Sequence, residues 1–306
     1  MSQFLENMSA ETYGVSAILF ASLLWGTTGT AASFAPAVSP LAIGSFAMGA
    51  GGLMLAILAA KNLRHERKKL VRERKLLWVG AIALAVYPLA FYSSMRLSGV
   101  AIGTVISIAS APFFVVLIEF FFSKENNIDT RWVLSLFVGS LGIMLLTFSE
   151  SSLPDSDSEH LSKYIGILLG LIAGLTYALY SWAAKALINR GVSSKSAMGG
   201  IFGFGAVLLL PILVFTGGNL FATSVNTVVA LYMAFVPMFI GYVCFGYGLK
   251  TIHASKATLL TLFEPVVAAV FAVVVVGESI SIFGWAGVVL IMFCLLLQSF
   301  KSKIQC

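Results

Sequence analysis

Apolar runs about 20 residues long recur from Gly14 to Phe300, and nearly all charge falls between them. As a helix, a run of that length matches the ~30 Å hydrocarbon core of a bilayer. Lipid offers no partner for backbone N–H and C=O groups, so each run has to satisfy its own backbone as a helix. Composition agrees, with 59% of the 306 residues hydrophobic, 10% charged and a mean hydropathy of +0.97. An ordinary soluble domain carries roughly 25% charge. An outer-membrane barrel is excluded, because it would show segments of about ten residues with alternating polarity.

The expected fold class is therefore an all-α membrane protein. Ten transmembrane helices are predicted at about 14–35, 40–60, 76–96, 100–121, 131–149, 164–185, 196–216, 228–249, 255–276 and 282–300. The connections leave no room for a soluble domain. The opening "MSQFLENMSAETY" has two acids and no Lys or Arg, so it lacks the basic start of a signal peptide, and the first span is expected to be retained.

The net charge of +6 does not indicate nucleic acid, because of where the charge lies. The segment "KNLRHERKKLVRERK", Lys61 to Lys75, holds eight Lys/Arg. With ten spans, seventeen of the 19 Lys/Arg fall on one face, the nine beyond that segment being Lys124, Arg131, Lys185, Arg190, Lys195, Lys250, Lys256, Lys301 and Lys303. Only Arg96 and Lys163 fall on the other, beside Glu150, Asp155, Asp157 and Glu159. The positive-inside rule then predicts both termini in the cytoplasm, in a multi-pass protein of the cytoplasmic (inner) membrane. Lys61–Lys75 reads first as a topology anchor against the bilayer; specific binding of an anionic lipid or another partner is the alternative. Cys244, Cys294 and Cys306 give neither a disulfide framework nor a metal spacing, so no metal or cofactor is expected.

The chain also repeats itself. A shift of about 152 residues lays "GVSAILFASLLWG" on "GILLGLIAGLTYA", with Trp25 on Tyr177. A shift of 153 lays Pro112 on Pro265 and Glu125 on Glu278. The expected units are thus two five-helix repeats, residues 1–153 and 154–306. Five is odd, so the second repeat enters the membrane from the opposite face. Such inverted repeats are a recurring plan of secondary transporters, with the site near mid-depth between the halves. A duplication retained only for folding is the plainer alternative.

Three features, "LLWGTTG" in the first span, "FEPVVAAVFAVVVVGES" in the ninth and the five-plus-five layout, resemble the drug/metabolite transporter superfamily, EamA type. The resemblance covers nearly the whole chain. It implies a helical bundle with a central cavity and alternating access, exporting amino acids or other small metabolites. Members often carry Glu-Pro in both halves; here the first half reads Ala111-Pro112, so only one carboxylate, Glu264, carries over.

Glu264 lies nine residues into the ninth span, about 14 Å deep at ~1.5 Å per residue. An acid there costs at least ~2.5 kcal/mol and normally faces the bundle interior or water. It is the candidate for proton coupling or for binding an amine; the alternative is a protonated acid that only supports a kink. Pro112 and Pro265 are predicted helix kinks, since proline frees a backbone carbonyl. Thr258, Thr261 and Glu264 form one polar stripe, and Thr104, Ser107 and Ser110 another. Ser107, Ser110 and Thr261 are cavity candidates, against the simpler reading that these hydroxyls bond back to their own helices.

Trp25, with Thr28 beside it, and Tyr177 sit too deep for an interfacial belt. Tyr87 with Phe91, and Tyr242 with Phe245, share helix faces. These aromatics are expected to line a cavity for apolar groups or an amine, with core packing as the alternative. Gly166, Gly170 and Gly174 read as close helix packing. Glu119 and Lys185 are expected to snorkel or pair at the interface.

Enzyme readings fail: there is no G-x-S-x-G, H-E-x-x-H or complete P-loop, and no His in the membrane interior. The expected function is secondary transport of a small-molecule substrate by a monomer or weak homodimer. A non-transporting membrane scaffold or sensor is the alternative.

Overall fold

The computed structural model describes residues 2–98, 100–123, 129–148, 157–277 and 280–299, and every regular element among them is helical. The first half contains α1 (Ser2–Gly26), α2 (Thr28–Ser33), α3 (Pro40–Leu58), short α4 (Ala60–His65) and α5 (Arg67–Arg72), then α6 (Arg74–Ser98), α7 (Val100–Ile118) and α8 (Thr130–Phe148). The second half begins with α9 (Asp157–Asn189), α10 (Ser194–Leu209), short α11 (Leu213–Thr216) and α12 (Ser224–Met233). It continues with α13 (Gly241–Gly248), α14 (Ala254–Leu260), α15 (Phe263–Phe271) and α16 (Ile282–Ser299). Three π-helical stretches, Glu119–Ser123, Ala234–Ile240 and Ala272–Val276, extend or join these helices.

Among the described residues, eight helical stretches are long and apolar enough to cross a bilayer. At the two other expected positions lie shorter apolar helices, Thr130–Leu146 and Ile282–Leu297. Several expected spans are not single α-helices: the first breaks at Thr27, the fourth turns π-helical from Glu119, and the seventh passes through a 3-10 turn at Leu210–Ile212. The eighth widens into a π-helix around Pro237, and the ninth stops after Leu260 and restarts at Phe263. These last two interruptions lie at prolines, which cannot donate to the helical ladder. The matched acids Glu125 and Glu278, the acids Glu150 and Asp155, and Lys124, Lys301, Lys303 and Cys306 lie outside the described residues.

Packing follows the sequence repeat. α3 packs on α10 and α8 on α16. α9 packs against α6 and α7, while its repeat mate α1 packs against α13 and α15. Exchanging the halves therefore turns each set of neighbours into the other. The π-helical stretches 119–123 and 272–276 keep the same 153-residue spacing as Pro112 and Pro265. The glycine series of α9 is a packing device: a Cβ on Gly166 would run into Ser98, and one on Gly174 into Ser107 and Ser110. That closeness lets the Ser94 hydroxyl donate to the Gly166 carbonyl at 2.7 Å.

Polar ties gather the basic connections at one end of the bundle. Glu66 accepts from the Ser193 N–H at 3.1 Å and from the Ser193 hydroxyl at 2.8 Å, and Lys69 donates to the Gly191 carbonyl at 2.8 Å. Glu73 pairs with Arg190. Glu119 and Lys185 do not snorkel; both are buried. Lys185 Nζ donates to the Leu249 carbonyl just beyond α13 at 2.9 Å, and Glu119 accepts from the Ser255 N–H in the first turn of α14 at 3.3 Å. Each charge has the sign that its helix end favours, a cation at the C-terminus and an anion at the N-terminus.

Partial burial alone would raise Glu66, but hydrogen bonds from Ser196 and Ser193 and the nearby Lys69 hold it below its ordinary value of 4.5. The hydrogen bond from Arg190 holds Glu73 down in the same way. A carboxyl depressed in the folded state stabilises it above its unfolded value, and that contribution is lost as pH falls through the folded value. Thermal melting in detergent should therefore drop as pH falls below about 4.5. Glu66→Gln should flatten part of that drop; an unchanged slope would show that these ties do not hold the end together.

Candidate functional site

The interruption of the ninth span builds the site. Pro265 has no N–H to return to the Thr261 carbonyl. That carbonyl is taken instead by the Glu264 N–H, at 3.0 Å, in a tighter turn. The Thr261 hydroxyl donates to the Thr258 carbonyl at 2.7 Å and accepts from the Tyr177 hydroxyl at 3.0 Å. The chain thus turns through Thr261 and Leu262, and Glu264 enters the first turn of α15. Gly26 lets α1 come close here, since a Cβ on it would press against Val267 and the Glu264 carbonyl.

Glu264 faces a cavity of about 40 Å³, open on one side. Trp25 comes from α1 and Thr28 from α2, Tyr87 and Phe91 from α6, Tyr177 from α9 and Tyr242 from α13. Together with Glu264 these are seven of the residues expected from sequence. Tyr92, Tyr180 and Met238 complete the wall and were not expected. Two of them had a signal, since Tyr180 lies one turn beyond Tyr177 and Tyr92 follows Phe91 directly. Gly44 and Tyr92 form one side together, because a Cβ on Gly44 would occupy the Tyr92 ring.

Four expected residues lie off this wall. Ser107 is buried and donates to the Gly103 carbonyl of its own helix at 2.7 Å. Ser110 leans toward the Ser107 carbonyl and packs beside Gly174. Phe245 is fully buried behind Trp25, with ring centroids 5.4 Å apart. Thr261 stands in the second layer and holds Tyr177. Of the two prolines, Pro265 lies just past a break, while Pro112 sits inside α7, which stays helical through it.

Most polar atoms of the wall are committed. Trp25 Nε1 donates to the Pro237 carbonyl at 2.9 Å, inside the π-helical stretch, and Gly241 leaves room for the indole. The Tyr180 and Tyr242 hydroxyls bond each other at 2.8 Å. Thr28 returns its hydroxyl to the Trp25 carbonyl at 2.7 Å. Among the described residues, the Glu264 carboxyl and the Tyr87 and Tyr92 hydroxyls have no protein partner. The rings crowd together, with Trp25 and Tyr242 centroids 4.7 Å apart and those of Tyr87 and Tyr177 5.6 Å apart.

The cavity is closer to one end of the bundle than to the other. Thr28, Gly44 and Tyr92 lie within six residues of helix ends opposite the basic connections. Toward the basic end the interior is filled by the fully buried side chains of Ile18, Leu84, Phe202 and Phe245.

Single cysteines can test this wall in a chain whose native cysteines are replaced by Ser. Cysteines at Thr28, Tyr92 and Met238 should react with a water-soluble maleimide, and cysteines at Ser107 and Phe245 should not. Faster labelling at Ser107 or Phe245 than at Tyr92 would refute the arrangement.

Known proteins agree with this architecture. The EamA-like transporter family matches the chain twice, over residues 12–148 and 164–300. The chain is 30% identical over 292 residues to the "uncharacterized transporter YwfM" of Bacillus subtilis, covering 94% of both chains. It is 22% identical to the "uncharacterized inner membrane transporter YicL" of Salmonella typhimurium, over 97% of this chain and 98% of that one. A solved crystal structure superposes with a TM-score of 0.74 at 18% identity, over 93% of this chain and 95% of the other, and so shares the fold. Matched in both its halves, the chain belongs to the EamA-like transporter family.

Proposed function

We propose that this transporter carries amino acids or closely related small metabolites out across the cytoplasmic membrane, by alternating access and with Glu264 as the coupling or amine-binding residue. The reading includes ten spans in two inverted five-helix repeats, residues 1–153 and 154–306, with both termini in the cytoplasm.

One observation carries the substrate class: the unspent polar groups of the cavity are one carboxyl and two phenol hydroxyls. The carboxyl suits an ammonium group, and the hydroxyls can donate to a carboxylate. The surrounding rings add cation–π attraction for the ammonium and an apolar surface for a side chain. Among the described residues no cation lines this wall, so Glu264 is satisfied by a proton or by the cationic group of a solute. Alternation between those two partners would couple proton and substrate movement. The sequence has no phosphate-binding loop for ATP, so an ion gradient or the solute's own gradient supplies the energy.

Access from the basic end would require the ties of Glu66 and Glu73 to the 190–193 turn to open. These join the two repeats, and they lie beyond the packed interior that closes the cavity there.

The test is flux of labelled amino acids from proteoliposomes of purified protein, driven by a pH gradient, with Glu264→Gln beside the wild type. Gln keeps the size and can accept a hydrogen bond, but it neither titrates nor offsets an ammonium. The variant should fold, bind amino acids at least tenfold more weakly and lose pH-driven flux. Flux near wild type with unchanged pH dependence would remove Glu264 from the mechanism. Absence of amino-acid flux from the wild type would overturn the substrate class.

A further inference from the structure

A second and larger concavity lies on the flank of the bundle, sharing no lining residue with the Glu264 cavity. It has a volume of about 530 Å³ and is open along its side. Its floor is the glycine face of α10, Gly199, Gly200 and Gly203, and its walls come from the end of α3 and from Leu63 to Trp78. Trp78 and Phe204 meet across it with ring centroids 5.0 Å apart. Exposure is high for apolar side chains, at 45% for Trp78, 57% for Val71 and 64% for Val207. From Gly199 to Val207 the groove follows α10 for about 12 Å. That is close to the ~15 Å of one leaflet's hydrocarbon.

Its polar end is built from cations. Arg67 and Arg74 are its two charged lining residues. Among the described residues neither guanidinium has an ion pair or a side-chain hydrogen bond. The acids that could neutralise them point elsewhere, Glu66 to Ser193 and Glu73 to Arg190 and Arg72. Two unpaired guanidinium groups above an apolar trough open to the side match an anionic phospholipid, and nothing in the groove favours a polar solute. We propose that this groove binds one anionic phospholipid of the adjoining leaflet, its phosphate between Arg67 and Arg74 and an acyl chain along α10. Guanidinium groups suit the phosphate because they donate two parallel hydrogen bonds. The proposal does not depend on what the Glu264 cavity transports.

The experiment is native mass spectrometry of the full chain in detergent, titrated with phosphatidylglycerol and, separately, with phosphatidylcholine bearing the same acyl chains. Wild type should retain a single phosphatidylglycerol in preference to phosphatidylcholine. The double variant Arg67→Gln/Arg74→Gln should lose about tenfold or more in retention. The control Arg64→Gln/Lys68→Gln removes the same charge from residues outside the groove and should stay within about twofold of wild type. Val207→Trp, which fills the trough from an exposed position, should exclude the lipid while leaving melting in lipid-free detergent unchanged.

Equal losses in the two double variants would mean diffuse attraction to the basic segment and would overturn the site. So would equal retention of the two lipids, or full competition by glycerol phosphate that has no acyl chain. A concentration-dependent dimer that covers the groove would replace the lipid with a second copy of the chain.

Discussion

Everything around Glu264 depends on how the backbone hydrogen bonds are met where the ninth span breaks. In a bilayer an unpaired carbonyl or N–H has no water to turn to, so an interrupted helix survives only where protein or a wet cavity meets the loose groups. Here the Thr261 N–H still reaches the Ala257 carbonyl at 3.2 Å, and the Leu262 N–H reaches Leu259 at 3.2 Å. The Thr261 hydroxyl covers the Thr258 carbonyl, and Tyr177 from the other packing partner secures that hydroxyl. In the eighth span the same problem is met by Trp25, whose indole takes the carbonyl of Pro237. The two aromatics at matched repeat positions, Trp25 and Tyr177, thus brace these two spans. Their rings then face the cavity as a consequence of that bracing.

The polar groups at the basic end divide by burial into two mechanical classes. Glu73 and Arg190 are joined at the rim, where the guanidinium stays half exposed and the pair can exchange for water. Glu119 and Lys185 are buried against the ends of α14 and α13, and a buried charge stripped of its partner costs several kcal/mol. The first class can open and close at little cost. The second fixes the 249–255 turn to α9 and the end of α7, so those parts are held as one body.

The helices were legible because bilayer thickness sets the length of an apolar run, and Arg74–Ser98 or Pro40–Leu58 fall within two residues of the expected spans. α9 was read too short, since its start from Asp157 is polar and carries no hydropathy signal. The π-helical stretches were not legible at all; a register change of one hydrogen bond leaves no composition mark. In the site, Glu264, Trp25 and the tyrosines stood out because a polar or amphipathic group deep in an apolar run needs a reason. Ser107, Ser110 and Thr261 stood out for the same reason, yet their hydroxyls are consumed by their own helices. Phe245 and Tyr180 show the remaining limit. In a span apolar on every side, amphipathicity cannot say which face meets the cavity and which meets a neighbour.

That Glu264 has no partner among the described residues follows from these same commitments. Trp25 Nε1 is spent on Pro237, Tyr177 on Thr261, and Tyr180 and Tyr242 on each other. Each bond was required by a broken helix or by burial of a hydroxyl, so none is available to the carboxyl. If this acid served only the kink, it would be expected to reach a carbonyl freed by Pro265. Instead the Thr261 carbonyl is filled by the backbone N–H of Glu264 itself, and the carboxyl is left facing empty space. The backbone of residue 264 thus meets the need that Pro265 creates at the Thr261 carbonyl. That separation of backbone from side chain is what a residue needs if it is to exchange partners while the helices around it stay folded.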